Sequence, residues 1–303
     1  AMKRAFRQRY LRWYSSQNFV ESVASMDKYI FRRYKLCGAR DPAWETFCYK
    51  LSCITVFTQG SRFTTVPKNN TANRPINIEP LGNMVVQRQI GNFLRTQLKK
   101  LFSVDLDVLA LQHRDKIRCA DYATIDLKDA SDSVTLTLCE FLLPRHLFKE
   151  LLKSRSEFVL GLDGQYHRTN KISSMGNGFT FELMSLILTA VARAFDEDAT
   201  VFGDDIIIRN EFASDLIRVL EGIGFHVNKE KSFINSKFRE SCGANYHDDF
   251  GYIESFDFRW PVTIHDCVVF YNKALRLSKL YPSFEKLRLQ LRRHIPSALQ
   301  GVL

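Results

Sequence analysis

The spacing of apolar and polar residues predicts an alternation of helices and strands along most of the chain. Aromatic residues recur at helical spacing among basic residues over positions 2–35, and an apolar helical pattern returns over 84–101. Both stretches are therefore predicted helices. Between them, residues 56–80 are rich in Gly, Pro and Asn, a composition typical of a loop.

The middle of the chain predicts short elements separated by clear turn signals. In order, these are a strand at 122–127, helices at 131–142 and 144–153, a hairpin at 158–171, and a long apolar helix at 179–195. Ser131 or Asp132 is the expected cap of the first helix. The first hairpin is expected to turn at Asp163-Gly164.

A second hairpin is predicted where Gly203-Asp204-Asp205 separates two apolar arms, over residues 200–208. The remainder is predicted to be a helix at 212–220, extended segments at 225–233 and 238–246, and helices at 268–280 and 284–294. No Pro- or Ser-rich linker divides the chain, so any subdomains are expected to interleave.

The charge of the chain is concentrated at its two ends. The 303 residues carry 43 Lys and Arg against 33 Asp and Glu, a formal net charge of +10. Residues 1–40 hold ten basic and two acidic side chains, and residues 271–303 hold seven and one, so the long middle segment is slightly acidic. Basic ends favour a polyanionic partner, although a solvated basic surface is equally consistent with them.

Cysteine usage and hydropathy exclude several other classes. The seven cysteines include no CxxC pair, which argues against a disulfide framework and structural zinc and favours a reducing compartment. The longest apolar stretch, residues 183–192, is too short to cross a bilayer. We therefore expect no membrane association, and the basic N-terminal residues lack the apolar core of a signal peptide.

Three aspartates are candidate metal ligands. Asp126 ends an apolar strand, and Asp204 and Asp205 lie at the tip of an apolar hairpin. If the two elements are neighbours in one sheet, the carboxylates cluster, and hard divalent cations such as Mg²⁺ relieve their repulsion. The alternative is that these are ordinary turn or cap residues. A second acidic pair, Asp248-Asp249, is flanked by polar residues and is interpreted as such a turn.

Six segments, taken in order, resemble motifs of the RNA-directed RNA polymerases (replicases) of single-stranded RNA bacteriophages, the leviviruses. The longest, SMGNGFTFEL at 174–183, is nearly identical to the second palm motif of that family. The others are the fingers segment within 66–80 and the segments 124–133, 202–207, 228–233 and 238–243. The resemblance spans about Thr65 to Tyr246 and fades beyond.

The resemblance implies an α+β fold, the right-hand polymerase, with an antiparallel-sheet palm, interleaved fingers and a short helical thumb. It implies fingers at 1–120, a palm at 121–245 with a fingers insertion near 145–172, and a reduced thumb at 246–303. The implied reaction is template-dependent RNA synthesis by two-metal nucleotidyl transfer.

The resemblance also assigns the aspartates. Asp126 and Asp204 match the principal ligands of two Mg²⁺ ions, with Mn²⁺ as the alternative metal, and Asp205 matches an auxiliary ligand. Lys231 matches a lysine that protonates the leaving pyrophosphate as general acid, with Lys229 as a rival.

The remaining assignments concern the nucleotide. Lys68 and Arg74 resemble the pair that binds the triphosphate. Asp132 and Asn177 resemble the pair that selects ribose over deoxyribose. Ser174 and Gly176 resemble members of a flexible loop close to template and nucleotide.

The implied partners are an RNA template and product and ribonucleoside triphosphates, together with host elongation factors Tu and Ts and a ribosomal protein. The implied location is the cytoplasm of the bacterial host. Three alternatives stay open: a reverse transcriptase, a non-catalytic RNA-binding relative of a polymerase, and a truncated polymerase that needs missing segments. Asp132 and Asn177 argue against the first, and the intact aspartates, Lys68 and Arg74 against the second.

Overall fold

The computed structural model describes residues 13–15, 55–68, 72–253, 261–279 and 281–299, and elements are numbered along these residues. The strands are β1 (Trp13–Ser15), β2 (Thr55–Phe57), β3 (Gly60–Pro67), β4 (Asn73–Ile78), β5 (Tyr122–Ile125), β6 (Leu127–Lys128), β7 (Phe158–Leu160), β8 (Tyr166–Arg168), β9 (Thr200–Phe202), β10 (Asp205–Arg209), β11 (His226–Val227), β12 (Phe238–Ser241), β13 (Ala244–His247) and β14 (Gly251–Ile253). The helices are α1 (Leu81–Phe102), α2 (Leu109–Lys116), α3 (Ala130–Ser133), α4 (Leu136–Leu142), α5 (Arg145–Ser154), α6 (Thr180–Arg193), α7 (Asn210–Gly222), α8 (Ile264–Ser278) and α9 (Ser283–Arg292).

Most elements with strong periodicity are confirmed. They are helices α1 and α5–α9, strand β5, and the hairpins β7–β8 and β9–β10. The first hairpin turns at Gly164, which has φ +76°. The predicted mixture of helices and antiparallel strands is therefore confirmed.

Two predictions near the N-terminus need correction. The helix predicted over residues 2–35 is wrong at Trp13–Ser15, which is a strand parallel to β2, and its other residues lie outside the described ones. The loop predicted over 56–80 is wrong because β3 and β4 occupy most of it. Pro75 is tolerated because β4 is the edge strand of the sheet β4-β3-β7-β8.

The helix predicted over 131–142 is two helices. Val134 leaves the helical region, with ψ 84°, and separates α3 from α4. Ser131 and Asp132 lie inside α3, so neither is the expected cap. Thr135 caps α4 instead, because its hydroxyl accepts a hydrogen bond from the Leu138 N–H at 3.1 Å.

The two extended segments predicted after α7 are also shorter than expected. In the first, 225–233, only His226–Val227 forms a strand, which pairs with β6. The second, 238–246, is a hairpin rather than one strand, since β12 turns into β13, and β14 completes a three-stranded meander.

A three-stranded antiparallel sheet, ordered β5-β10-β9, forms the centre of the larger of two compact units, residues 1–66 with 75–253. Helices α6 and α7 pack against it. The apolar core joins sheet residues such as Ile206 and Ile208 with Leu183 and Ile187 of α6 and Leu216 of α7, all at most 2% exposed. Burial of these apolar side chains stabilises the sheet and the position of its turns.

A buried charge, Arg239 of β12, belongs to the meander. Arg239 is fully buried; its Nε donates to the Ile117 carbonyl and its Nη1 to the Ser236 carbonyl, each at 2.6 Å. Its guanidinium also forms an ion pair with Asp248. The pair Asp248-Asp249 lies in a turn, as predicted, and Asp248 also compensates a buried charge.

The smaller unit comprises residues 67–74 and 254–303. Its described helices α8 and α9 pack through a small apolar core that includes Phe270, Ala274 and Leu291. Thr263 and Asp266 form a capping box at the start of α8. Across the described residues of both units, no helix has the length and apolar character needed to cross a membrane.

Candidate active site

The three aspartates lie at one end of the central sheet. Ile206 of β10 pairs with Ile125 of β5, so continuing this antiparallel register by one residue places Asp205 opposite Asp126. Residues opposite one another in an antiparallel pair project to the same face. Asp204 directly precedes Asp205 in the turn between β9 and β10 and is exposed to solvent. The predicted juxtaposition of strand end and hairpin tip is therefore confirmed.

The turn that carries Asp204 is held against α6. Asp205 pairs with Phe202, which leaves a two-residue turn of Gly203 and Asp204. Gly203 has φ +65°, and its N–H donates to the Ser185 hydroxyl at 2.9 Å. A Cβ at this position would lie 2.6 Å from the Phe181 ring. Glycine is required here both by the left-handed backbone and by the close approach of the helix.

Asp126 is held by residues of the segment after β11. The Asn228 side-chain amide donates to Asp126 Oδ2 at 2.8 Å, and the Asn228 backbone N–H donates to the Asp126 carbonyl at 2.9 Å. The Asp126 N–H in turn donates to the Ser232 hydroxyl at 3.1 Å. Both the backbone and the carboxylate of Asp126 are therefore fixed.

Asp205 is held by the tip of the β12–β13 hairpin. The Cys242 N–H donates to Asp205 Oδ2 at 3.2 Å. Cys242 and Gly243 form that tip with φ +52° and +75°, and two successive positive φ angles are a feature of type I′ hairpin turns. Cys242 thus adopts a positive φ, which is unusual for a residue other than glycine, at the position where its amide contacts the candidate metal ligand Asp205.

Burial and mutual repulsion shift the acids toward the protonated form. Burial, the charge of Asp204 and then that of Asp126 raise the pKa of Asp205 to about 7, while the Cys242 hydrogen bond opposes this shift. Burial also raises the pKa of Asp126, with a further contribution from Asp204, while the Asn228 hydrogen bond lowers it. Acids that resist ionisation in this way favour a bound cation.

Lys231 is the basic group at this site. Its Nζ lies 3.5 Å from the Glu240 carboxylate, and its charge lowers the pKa of Asp126. Of the two lysines considered for proton donation, Lys231 is thus the one coupled to the carboxylates. Its role as general acid stays a prediction.

The two residues predicted to select the ribose, Asp132 and Asn177, do not contact one another through a hydrogen bond among the described residues. Asp132 is exposed and accepts from the Lys171 ammonium at 2.7 Å. Asn177 is only 9% exposed, and its Oδ1 accepts from the Phe179 N–H at 3.0 Å. Among the described residues these two side chains make no hydrogen bond to one another, so their joint role stays a prediction.

The loop that contains Ser174 and Gly176 is closely packed. Ser174 is buried and its hydroxyl accepts from the Asn77 side chain at 2.8 Å, while the Asn77 N–H donates to the Met175 carbonyl at 2.8 Å. Gly176 has φ +105°, and a Cβ there would lie 2.2 Å from the Asn77 carbonyl. Asn77, at the end of β4, therefore holds this loop through two hydrogen bonds and a close backbone contact.

Lys68 and Arg74 belong to the smaller unit, where both are exposed. The Lys68 N–H donates to the Ala72 carbonyl at 3.0 Å, which closes the connection between β3 and β4. Their binding of a triphosphate stays a prediction.

The donor chemistry of the three aspartates suits Mg²⁺ or Mn²⁺, which prefer carboxylate oxygen. Within the described segments, however, no group of three or more His, Cys, Asp or Glu side chains is arranged as a ready-made metal site. The expectation of two ions therefore stays a prediction, supported by the register of Asp126 and Asp205 and by their electrostatic coupling.

The sheet and its helices are similar to the fold of a viral RNA-dependent RNA polymerase. The crystal structure of the RNA-dependent RNA polymerase of a human picorbirnavirus superimposes with a TM-score of 0.51, covering 80% of this chain and 58% of that one at 14% identity. At that identity the likeness concerns the fold alone.

Sequence comparison gives the family. Residues 32–273 match the model of the RNA replicase, beta-chain, family, and the chain belongs to this family. It is 42% identical over 206 residues to the RNA-directed RNA polymerase subunit beta of Qbeta virus strain MX1, covering 64% of this chain and 34% of that protein. It is 35% identical over 268 residues to the corresponding subunit of Escherichia virus Qbeta, covering 84% and 45%. The predicted resemblance to phage replicases is confirmed, and the chain spans less than half the length of these curated relatives.

Several residues of the site were not identified from the sequence. Asn228 and Ser232 fix Asp126, Cys242 contacts Asp205, and Glu240 pairs with Lys231. All four lie within motif segments. Only Cys242 has a local signal in the sequence, because the glycine that follows it indicates a tight turn. Two more, Glu79 and Gln87, are buried behind the loop at 173–178.

Proposed function

We propose that this chain carries the catalytic centre of an RNA-directed RNA polymerase of an RNA bacteriophage. The observation that carries the proposal is the register that sets Asp126 opposite Asp205, with Asp204 beside them at the hairpin tip. Membership of the RNA replicase, beta-chain, family supports it. The reaction joins a ribonucleoside triphosphate to the 3′ end of an RNA chain that is paired to an RNA template.

In this proposal the parts of the chain take the roles of a right hand. Residues 121–245 are the palm, residues 1–120 with the insertion near 145–172 are the fingers, and residues 246–303 are a reduced thumb. The central sheet β5-β10-β9 supports the assignment of the palm, since it presents the acids at one end and is backed by helices.

Asp126 and Asp204 are the proposed principal ligands of two Mg²⁺ ions and Asp205 the auxiliary one; Mn²⁺ is the alternative metal. Such ions, when bound, supply activation of the attacking 3′-hydroxyl and charge stabilisation at the phosphate. The chain's own residues orient the acids: Asn228 and Ser232 hold Asp126, and the Cys242 amide holds Asp205.

Lys231 donates a proton to the leaving pyrophosphate. Lys68 and Arg74 bind the triphosphate, since ammonium and guanidinium groups make charge-assisted hydrogen bonds to phosphate. Asp132 and Asn177 select the ribose, and Ser174 and Gly176 belong to a loop close to template and nucleotide.

The proposed partners are an RNA template and product and ribonucleoside triphosphates. Host elongation factors Tu and Ts and a ribosomal protein are further proposed partners, and the proposed location is the cytoplasm of the bacterial host. These assignments rest on the family alone.

Primer extension on a short RNA template tests the proposal. Asp204→Asn removes one negative charge from the candidate metal site with little change in shape. We expect it to lower Mg²⁺-dependent incorporation of UTP by at least about 100-fold, the scale on which loss of one electrostatic contributor acts. Binding of the RNA itself should survive, measured by fluorescence anisotropy.

The matched control is Asp249→Asn, which neutralises an exposed acid of the other acidic pair and should leave incorporation unchanged. Undiminished synthesis by Asp204→Asn would refute the mechanism. Offering dTTP in place of UTP on the same RNA separates an RNA polymerase from a reverse transcriptase. Equal use of the two nucleotides would contradict the proposed sugar choice.

A further inference from the structure

A buried glutamine contacts the far side of the loop that carries Asn177. Gln87 of α1 is fully buried. Its Nε2 donates to the Ser154 carbonyl at 2.8 Å and to Glu79 Oε2 at 3.1 Å, and its Oε1 accepts from the Gly178 N–H at 3.2 Å. Because a carbonyl and a carboxylate only accept, the amide nitrogen must face them. The oxygen is thereby directed at Gly178.

Glu79 is the unusual member of this network. It is 9% exposed, and its Oε2 accepts from the Ser156 hydroxyl at 2.6 Å as well as from Gln87. Burial raises the pKa of Glu79, while its hydrogen bonds and the charge of Arg155 lower it. A buried acid is costly unless it is hydrogen-bonded, and here its partners connect the end of β4, helix α1 and the segment that follows α5.

The loop has little room to move against Gln87. A Cβ at Gly178 would lie 2.8 Å from the Arg88 backbone N and 2.9 Å from Gln87 Cβ. The neighbouring Asn177 directs its Oδ1 at the Phe179 N–H, while its Nδ2 is buried without a hydrogen-bond partner. Asn177 nevertheless lies close enough to Glu79 to lower the pKa of that carboxyl. The Asn177 amide therefore lies between this carboxyl and a rigidly held peptide.

We infer that Gln87 is a positioning residue for ribose selection: by accepting from Gly178 it fixes the peptide that follows Asn177, and Glu79 fixes the orientation of Gln87. The inference rests on the proposed function, in which Asn177 contacts the sugar. A donor that hydrogen-bonds the 2′-hydroxyl must be held in place. If it is misplaced, the ribonucleotide loses this hydrogen bond, whereas the deoxyribonucleotide has none to lose, and the preference for ribose falls.

The first test compares UTP and dTTP incorporation by Gln87→Met, which keeps the side-chain volume and removes the hydrogen bonds. We expect kcat/KM for UTP to fall about tenfold, the equivalent of one lost hydrogen bond, with that for dTTP little changed. Gln89→Met is the matched control, because Gln89 is exposed on the same helix. Thermal melting establishes that each variant is folded.

A charge swap provides the second test and covers the case in which Gln87→Met does not fold. Gln87→Glu sets two carboxylates against each other and should reduce the preference for UTP. Adding Glu79→Gln restores a pair of one carboxylate and one amide. The Ser154 carbonyl loses the donor of Gln87 but still accepts from the Asn83 side chain at 3.3 Å. The double variant should regain the preference. Failure to regain it while folded would overturn the inference.

A third measurement does not depend on activity. Hydrogen exchange at the Gly178 amide should accelerate in Gln87→Met or Gln87→Glu and return to the original rate in the double variant. Unchanged protection would overturn the inference. Asn177→Ala, measured in parallel, distinguishes failure of the proposed role of Asn177 from failure of the inferred role of Gln87. If it leaves the UTP preference intact, the proposed role of Asn177 fails; if it lowers the preference and folded Gln87→Met does not, only the role of Gln87 fails.

Discussion

Neutral groups hold the two opposed carboxylates of the candidate site. Asp126 accepts from an asparagine amide and Asp205 from a backbone N–H, whereas the nearby Lys231 pairs with Glu240. Neutral donors orient a carboxylate without cancelling its charge. The negative charge that a divalent cation requires is therefore retained, together with the repulsion that makes the cation necessary.

That repulsion predicts an unusual pH dependence in the absence of divalent ions. The folded protein keeps the proton on Asp205 up to a pKa of about 7, whereas the unfolded chain releases it near 3.8. The folded state thus binds more protons between these values, and its free energy of unfolding falls as the pH rises through them. Asp205→Asn should accordingly stabilise the protein more at about pH 8 than at about pH 5, measured by urea unfolding with EDTA present. An equal effect at both pH values would contradict this prediction.

The sequence identified the three aspartates because each borders an apolar strand or hairpin arm. It did not identify Asn228, Ser232 or Cys242, whose partners lie 37 to 106 positions away along the chain. Such contacts depend on how β11 comes to pair with β6 and how β12 comes to lie beside β5 and β10. No local pattern encodes that arrangement.

At the scale of elements, the β9–β10 hairpin depends on a single glycine. Gly203→Ala must place a side chain at φ +65° and against the Phe181 ring. We expect a loss of at least about 1 kcal/mol in the free energy of unfolding, from the left-handed backbone alone. Incorporation should also fall, because Asp204 moves with the turn. Chemical denaturation and primer extension measure the two effects.

Gly222→Ala is the control for this change. Gly222 ends α7, has no positive φ, and a Cβ there would meet no atom within 4 Å. This variant should be neutral or slightly stabilising. If Gly203→Ala behaves in the same way, the turn does not depend on glycine as argued.

Long periodic elements could be predicted, and short or polar ones could not. Helices α1 and α6 were evident because each repeats an apolar face over several turns. The loop predicted over β3 and β4 is wrong for two reasons. The edge strand β4 tolerates Asn73 and Pro75, and the interior strand β3 carries Gly60 and Pro67 only at its two ends. The break before Thr135 was missed because Ser131 and Asp132 offered equally good caps by type.

At the scale of the whole chain, charge is divided between basic ends and an acidic middle. Such a distribution suits a protein whose ends bind a polyanion while its centre binds cations. The N-terminal residues lie outside the described ones, so only binding measurements can test their part. Their composition alone predicts a salt-dependent contribution to RNA affinity.

Replacing basic side chains of the N-terminal segment by Gln tests that contribution. The residues concerned are Lys3, Arg4, Arg7, Arg9 and Arg12. Affinity for single-stranded RNA should fall, and the slope of log K against log salt should flatten by about 0.7 for each phosphate that the variant no longer neutralises. The control replaces five exposed basic residues of the middle segment: Arg145, Lys149, Lys153, Arg168 and Arg218. An unchanged slope in the N-terminal variant would place those five residues outside the RNA path.

The buried Arg239 limits how this chain can be dissected into fragments. A piece cut at the predicted palm boundary, residue 245, would retain the guanidinium and lose its counter-ion Asp248. Removing the partner of a buried charge is destabilising, because the charge is then left uncompensated. The compact unit instead extends to Ile253, the last residue of β14. The ion pair of Arg239 with Asp248 therefore ties β12 to the turn after β13, several residues beyond the last sequence motif.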